Sequence, residues 1–102
     1  MSVYFMTCRS LGQVKIGHSC NPQRRLETLQ SGCPMPLVIE ATMKGGRAQE
    51  MALHSRFAAH RRQGEWFELT PEIDALITER RRAQNDKWFK RQGLVSELEK
   101  AA

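Results

Sequence analysis

The spacing of apolar and polar positions changes several times along the chain, and each change marks an element. Val3–Cys8, VYFMTC, is a nearly unbroken apolar, β-rich run. The turn-forming RSLGQ follows, and VKIGH (Val14–His18) then alternates apolar and polar residues as a half-buried strand does. Together they predict an antiparallel hairpin. Asn21 is a good N-cap and Pro22 suits the first helical position, so a helix is expected over PQRRLETLQS, stopping at Gly32 before Pro34 and Pro36. PLVIEATM (Pro36–Met43) predicts a third strand, and Gly45-Gly46 a turn. AQEMALHSRFAAHRR (Ala48–Arg62) is the clearest helical pattern, and GEWFEL (Gly64–Leu69) a short strand or extended segment. Thr70 and Pro71 open a last helix, PEIDALITERRRAQNDKWFKRQ, interrupted at Gly93 and fraying through LVSELEKAA.

Helical geometry sorts the faces of these segments. In the Ala48–Arg62 segment, Glu50 and His54 lie one turn apart in the middle of an apolar stripe. Leu53 and Phe57 flank them on one side, Met51 and Ala58 on the other, and Ala52, Ser55, Arg56 and Ala59 take the opposite face. A buried charge is costly unless it is paired, hydrogen-bonded or bound to metal, so this is either a structural Glu–His pair or a functional site. In the first helix Pro22, Leu26 and Leu29 form one face. Arg25 sits at its edge, where it either covers Leu29 or leans over the end of the hairpin, and Arg24 points nearly opposite, to solvent. Tyr4 and Lys15 belong to neighbouring strands whose register the sequence does not give. Tyr4 fits core packing as well as a site, whereas Lys15 in a strand needs an exposed face or an anionic neighbour.

Composition narrows the function. The 102 residues suffice for one domain, and the formal net charge of +5 favours an anionic partner, nucleic acid foremost. Cys8, Cys20 and Cys33 are odd in number and dispersed without a Cys-x-x-Cys pair, which fits reduced thiols and argues against structural zinc, His18 beside Cys20 included. With no membrane-length apolar run and no leader-like segment, a cytoplasmic protein is expected, with a nuclear one as the alternative. The segment ERRRAQNDKWFKRQ offers Arg80, Arg81 and Arg82 to phosphates. Its Trp88 and Phe89 would stack on bases or pack on the core.

VYF in the first strand, KIG in the second, an arginine eight residues after Gly17, the helical E-x-x-x-H-x-x-F and the GEWFEL segment form an ordered set. Over roughly Val3 to Leu69 this set resembles the GIY-YIG nuclease superfamily, in its phage-type branch where KIG often replaces YIG. The resemblance implies an α+β fold: a small three-stranded antiparallel sheet flanked by helices, with residues 1–70 as the nuclease core and 71–102 as a basic helical extension packed on it. It also implies hydrolysis of DNA phosphodiester bonds with Mg²⁺ or Mn²⁺. Tyr4 matches the first-motif tyrosine that positions or deprotonates water, and Lys15 stands where the second-motif tyrosine usually stands. Gly17 matches the motif glycine, Arg25 the arginine that binds the scissile phosphate, and Glu50 the metal-holding glutamate. His54 and Glu65 match positions typical of the branch. Arg24, Arg80, Arg81 and Arg82 are further candidate phosphate contacts. The first motif reads Val-Tyr-Phe and Lys15 replaces a tyrosine, so a DNA-binding module without cleavage stays open, as does an interaction protein whose basic helix meets an acidic partner. A domain this small has little room for base readout, so specificity is expected to need a homodimer or a partner protein.

Overall fold

In the computed structural model, residues 1–92 are described, with side chains described through Lys87. The expectations for Trp88, Phe89 and the segment from Gly93 onward lie outside the described side chains and residues. The element order is β1 (Ser2–Cys8), a 3-10 turn (Arg9–Leu11), β2 (Gln13–Ser19), α1 (Pro22–Ser31), β3 (Val38–Lys44) and α2 (Arg47–Arg56). A second 3-10 turn (Ala58–His60), β4 (Arg61–Gln63), β5 (Trp66–Glu68) and α3 (Pro71–Gln92) complete it.

The α+β class is as expected, but the sheet has five strands rather than three, in the order β3-β1-β2-β5-β4 with every pairing antiparallel. The two additional strands form a short hairpin on the outer edge of β2. GEWFEL supplies β5. The surprise is β4, which uses residues that the composition of Ala48–Arg62 assigns to a helix. Helical propensity is a weak prior that tertiary pairing overrides. Here Phe57 is fully buried and caps α2, the backbone tightens into a 3-10 turn, and Gly64 at φ 58 makes the left-handed turn that folds β4 onto β5. Met51 and Ala58 do not join the buried stripe: Ala58 lies beyond the end of the helix, Met51 lies within it on the solvent side, and both are exposed, Met51 by 46%.

The sheet buries both faces of its central strands, which explains why β1 lacks clean alternation. On one face Val3, Phe5, Val14, Ile16 and Ala41 pack against Leu53 and Phe57, with Phe67 and with Ile73 and Ile77 of α3. On the other face Tyr4, Met6, Cys8 and Leu37 pack beneath Leu26 and Leu29 of α1. Asn21 caps α1 by accepting from the Arg24 backbone N–H at 3.1 Å, with Pro22 at the helix start. The Gln30 side chain bonds Cys33, Met35 and Leu37 and so fixes the passage from α1 to β3. No helix among the described residues is long and apolar enough to cross a membrane.

An ionic knot ties β3 to the first turn and to α3. Arg9 donates to Glu40 at 2.6 and 2.8 Å and to Asp74 at 2.8 Å, while Thr7 also donates to Glu40. The Arg9 hydrogen bonds hold the Glu40 carboxyl below its ordinary range against the opposing effect of burial, with help from Thr7. A carboxyl depressed on folding contributes stability that is present above its unfolded value and lost as pH falls through its folded value. Stability is therefore expected to decline in acid, below about pH 4.5. Glu40→Gln should lower stability at neutral pH and flatten that decline, as chemical denaturation across a pH series would show. Equal acid limbs in the two proteins would remove Glu40 from the account.

Candidate functional site

The cleft forms at the end of the sheet where β2 leaves it. Pairing sets Tyr4 opposite Gly17 and Met6 opposite Lys15, so Tyr4 and Lys15 share the face covered by α1. Gly17 is required there. A Cβ at this position would stand 2.5 Å from the Tyr4 hydroxyl oxygen, 2.6 Å from Tyr4 Cζ and 3.1 Å from Glu65 Oε2. The missing side chain is thus the space into which the tyrosine hydroxyl projects.

The carboxylates enter from the other side. Glu50 sits on α2, only 4% exposed, and meets the Nδ1 of His18, which is β2's outward step after Gly17. His54, one turn further on, places Nε2 3.5 Å from Glu50 and 2.8 Å from the Ile16 carbonyl, to which it donates. Its Nδ1 accepts from Arg61 at 3.0 Å, and its ring lies edge-on to Phe67 with centroids 5.0 Å apart. Both nitrogens of His54 are therefore engaged in holding α2 to β2 and β4. Glu65, in the β4–β5 turn, pairs with Lys15 Nζ at 3.1 Å, and Lys15 lies 5.7 Å from the centre of the Trp66 ring. Burial pushes the Glu65 carboxyl up, but hydrogen bonding with Glu50 and with Lys15 outweighs it and leaves Glu65 below its ordinary value. Burial likewise raises the Tyr4 phenol above its ordinary value of 10.0. The neighbouring Arg25 pulls the other way, while the charges of Glu65 and Glu50 add to the rise. Tyr4 is accordingly a protonated hydrogen-bond donor at neutral pH.

Tyr4, Lys15, Gly17, Arg25, Glu50, His54 and Glu65 come together at this end of the sheet. Glu50, His54, His18 and Glu65 line a pocket of about 480 Å³, whose mouth carries Arg47 and Arg61. Arg24 and Arg25 line an adjoining hollow of about 260 Å³ at the start of α1. Arg80, Arg81 and Arg82 are not among the residues lining the Glu50 pocket. Arg81 is 3.7 Å from Glu40, and Arg80 lies at the β3 edge. The sequence pattern missed His18 and Arg61. Alternation along VKIGH does put His18 on the face opposite Lys15, the face that α2 covers, so that signal was present. Arg61 carried none, because its role depends on the unforeseen β4.

Glu50 and Glu65 present carboxylate oxygens at the wall of an open pocket, and no cluster of three or more His, Cys, Asp or Glu placed to hold a metal occurs among the described residues. One or two carboxylates suit a hard divalent ion that keeps much of its own water and shares the phosphate of a substrate. Glu50 and Glu65 are the residues that would hold such an ion.

Gly17→Ala is expected to cost roughly 1–3 kcal/mol through overpacking against Tyr4. Urea denaturation measures the cost, and an unaltered midpoint would show that Tyr4 moves aside freely.

Against known proteins, residues 1–93 match the T5orf172 domain. No curated protein and no solved structure matches the chain.

Proposed function

The chain belongs to the T5orf172 domain family, nuclease-like and DNA-binding at the family level, and on that premise we propose that it is a metal-dependent DNA endonuclease of GIY-YIG type. The observation that carries this reading is the buried Glu50 carboxylate, drawn together with His18, Glu65, Lys15 and Tyr4 around a glycine-sized gap. A core that needed only packing would not gather ionisable groups here.

In the proposed reaction Arg25, exposed at the edge of α1, binds the non-bridging oxygens of the scissile phosphate and offsets their charge. The His18 Nδ1–H donates to Glu50, which leaves Nε2 as the acceptor, and this ring is solvent-accessible at 31%. His18 Nε2 takes the proton of the attacking water as its oxygen bonds to phosphorus and the opposite phosphorus–oxygen bond breaks. The Tyr4 hydroxyl orients that water by hydrogen bonding. Lys15, held by Glu65, supplies positive charge near the departing oxygen. His54, with both nitrogens committed, positions α2 and through it Glu50. A divalent ion held by Glu50 would supply Lewis acidity to the phosphate when bound.

The test is nicking of supercoiled plasmid with Mg²⁺ or Mn²⁺. Cleavage should stop with chelator and fall roughly 10²-fold or more in Arg25→Ala and Glu50→Gln, as for loss of a group that stabilises transition-state charge. His18→Gln should lower the rate while leaving duplex affinity in chelator unchanged. The second reading, a module that binds DNA without cutting it, is favoured by Lys15 in the place of the motif tyrosine and by its pairing with Glu65. Binding without cleavage in any metal, unchanged by Glu50→Gln, would establish that reading and sink the endonuclease.

A further inference from the structure

A second basic hollow lies outside the Glu50 cleft, where α3 crosses the β3 edge. Its volume is about 330 Å³, and its lining includes Ser2, Thr42, Lys44, Arg80, Gln84 and Lys87. Three of these residues are cations, and among the described residues no carboxylate joins them. None of the three takes part in an ion pair among the described residues, whereas Arg81, next in sequence to Arg80, faces Glu40. Arg80 Nε is buried and has no hydrogen-bond partner among the described residues. A buried donor of this kind requires an acceptor. The wall of the hollow is fixed: Gln84 accepts from the Thr42 backbone at 3.3 Å and donates to its hydroxyl at 2.6 Å, tying α3 to β3.

Its position is as informative as its charge. Ser2 pairs with both Lys44 and Ser19, so the hollow opens at the same end of the sheet as His18. Only Gly45 and Gly46 separate Lys44 from Arg47 at the mouth of the Glu50 pocket. We propose that this hollow binds a phosphodiester of the nucleic-acid backbone flanking the one held in the cleft. The Arg80 guanidinium donates to a non-bridging oxygen, and the exposed Lys44 and Lys87 close on it from either side. Its described lining is cationic and polar, the chemistry that meets backbone phosphates rather than base edges. The proposal rests on the DNA reading above and adds the path of the strand beyond the cut.

The test uses the full chain, a labelled DNA duplex and chelator, with affinity measured by anisotropy across a salt series. Lys44→Gln/Lys87→Gln changes only exposed side chains. It should weaken binding about 10-fold near 0.15 M salt and reduce the salt slope by about 1, for the one phosphate that the hollow holds. In parallel, the Arg80 Nε–H resonance should shift on adding duplex but not on adding inorganic phosphate at equal phosphate concentration. An unchanged slope in a chain that binds DNA would overturn the hollow while leaving the DNA reading intact. An equal shift with inorganic phosphate would overturn the backbone assignment in favour of a small-anion site. Absence of any duplex binding by the unaltered chain would overturn the DNA reading itself, and this proposal with it.

Discussion

Everything at the cleft follows from burying one carboxylate on a helix that also delivers core side chains. Glu50 shares α2 with Leu53 and Phe57, so it cannot turn to solvent without withdrawing them from the core. Its burial must be offset where it stands. The offset comes from His18, beside a histidine that its own helix provides. Each neighbour is held in turn: Glu65 by Lys15, and His54 by Arg61 and the Ile16 carbonyl. Core and site are therefore one network. A shift of the β4–β5 hairpin would loosen Glu65 and Arg61 together, which gives those two short strands a purpose beyond widening the sheet.

The network also joins two faces that a sheet normally separates. Tyr4 and Lys15 lie under α1, and Glu50 and His54 lie under α2. Side chains on opposite faces do not meet in the middle of a sheet. They meet here because Gly17 leaves a gap at the strand's end and the turn before β5 brings Glu65 across it. The glycine that follows Ile16 thus does more than permit a turn. It is the space that the Tyr4 hydroxyl and the Glu65 carboxylate share.

The parts of this arrangement that depend on local sequence were legible in it. Asn21-Pro22 announced the helix that carries Arg25, and the one-turn spacing of Glu50 and His54 on an apolar stripe marked them as inward-facing. What depended on pairing was not legible. The register that sets Tyr4 opposite Gly17 has no local signal. Residues 61–63 look helical alone and become a strand only because Gly64 folds them onto β5. Met51 looked buried because the apolar stripe was drawn wider than the face α2 buries, which is Glu50, Leu53 and His54. Arg80 was singled out for its charge, but its proximity to Lys44 arises from α3 crossing β3, between residues far apart in sequence.

Topology also sorts the charge. β1 is antiparallel to both β2 and β3, so β2 and β3 end on the same side, and each leads into a helix there. The starts of α1 and α2 consequently lie together and bring Arg24, Arg25 and Arg47 with them. Helix starts carry partial positive charge of their own, which adds to that of the arginines. The opposite end holds the carboxylates that neutralise cations: Glu40 and Asp74 around Arg9, Glu72 beside Arg56, and Glu68 beside Arg62. α3 begins at that neutralised end and runs back along β3, so its first turn supplies acid and its later turns supply Arg80 and Lys87 near the cleft. Arg24, Arg25, Arg47, Lys44, Arg80 and Lys87 thus stand toward the end of the sheet that holds the buried Glu50, where their field favours the approach of an anion.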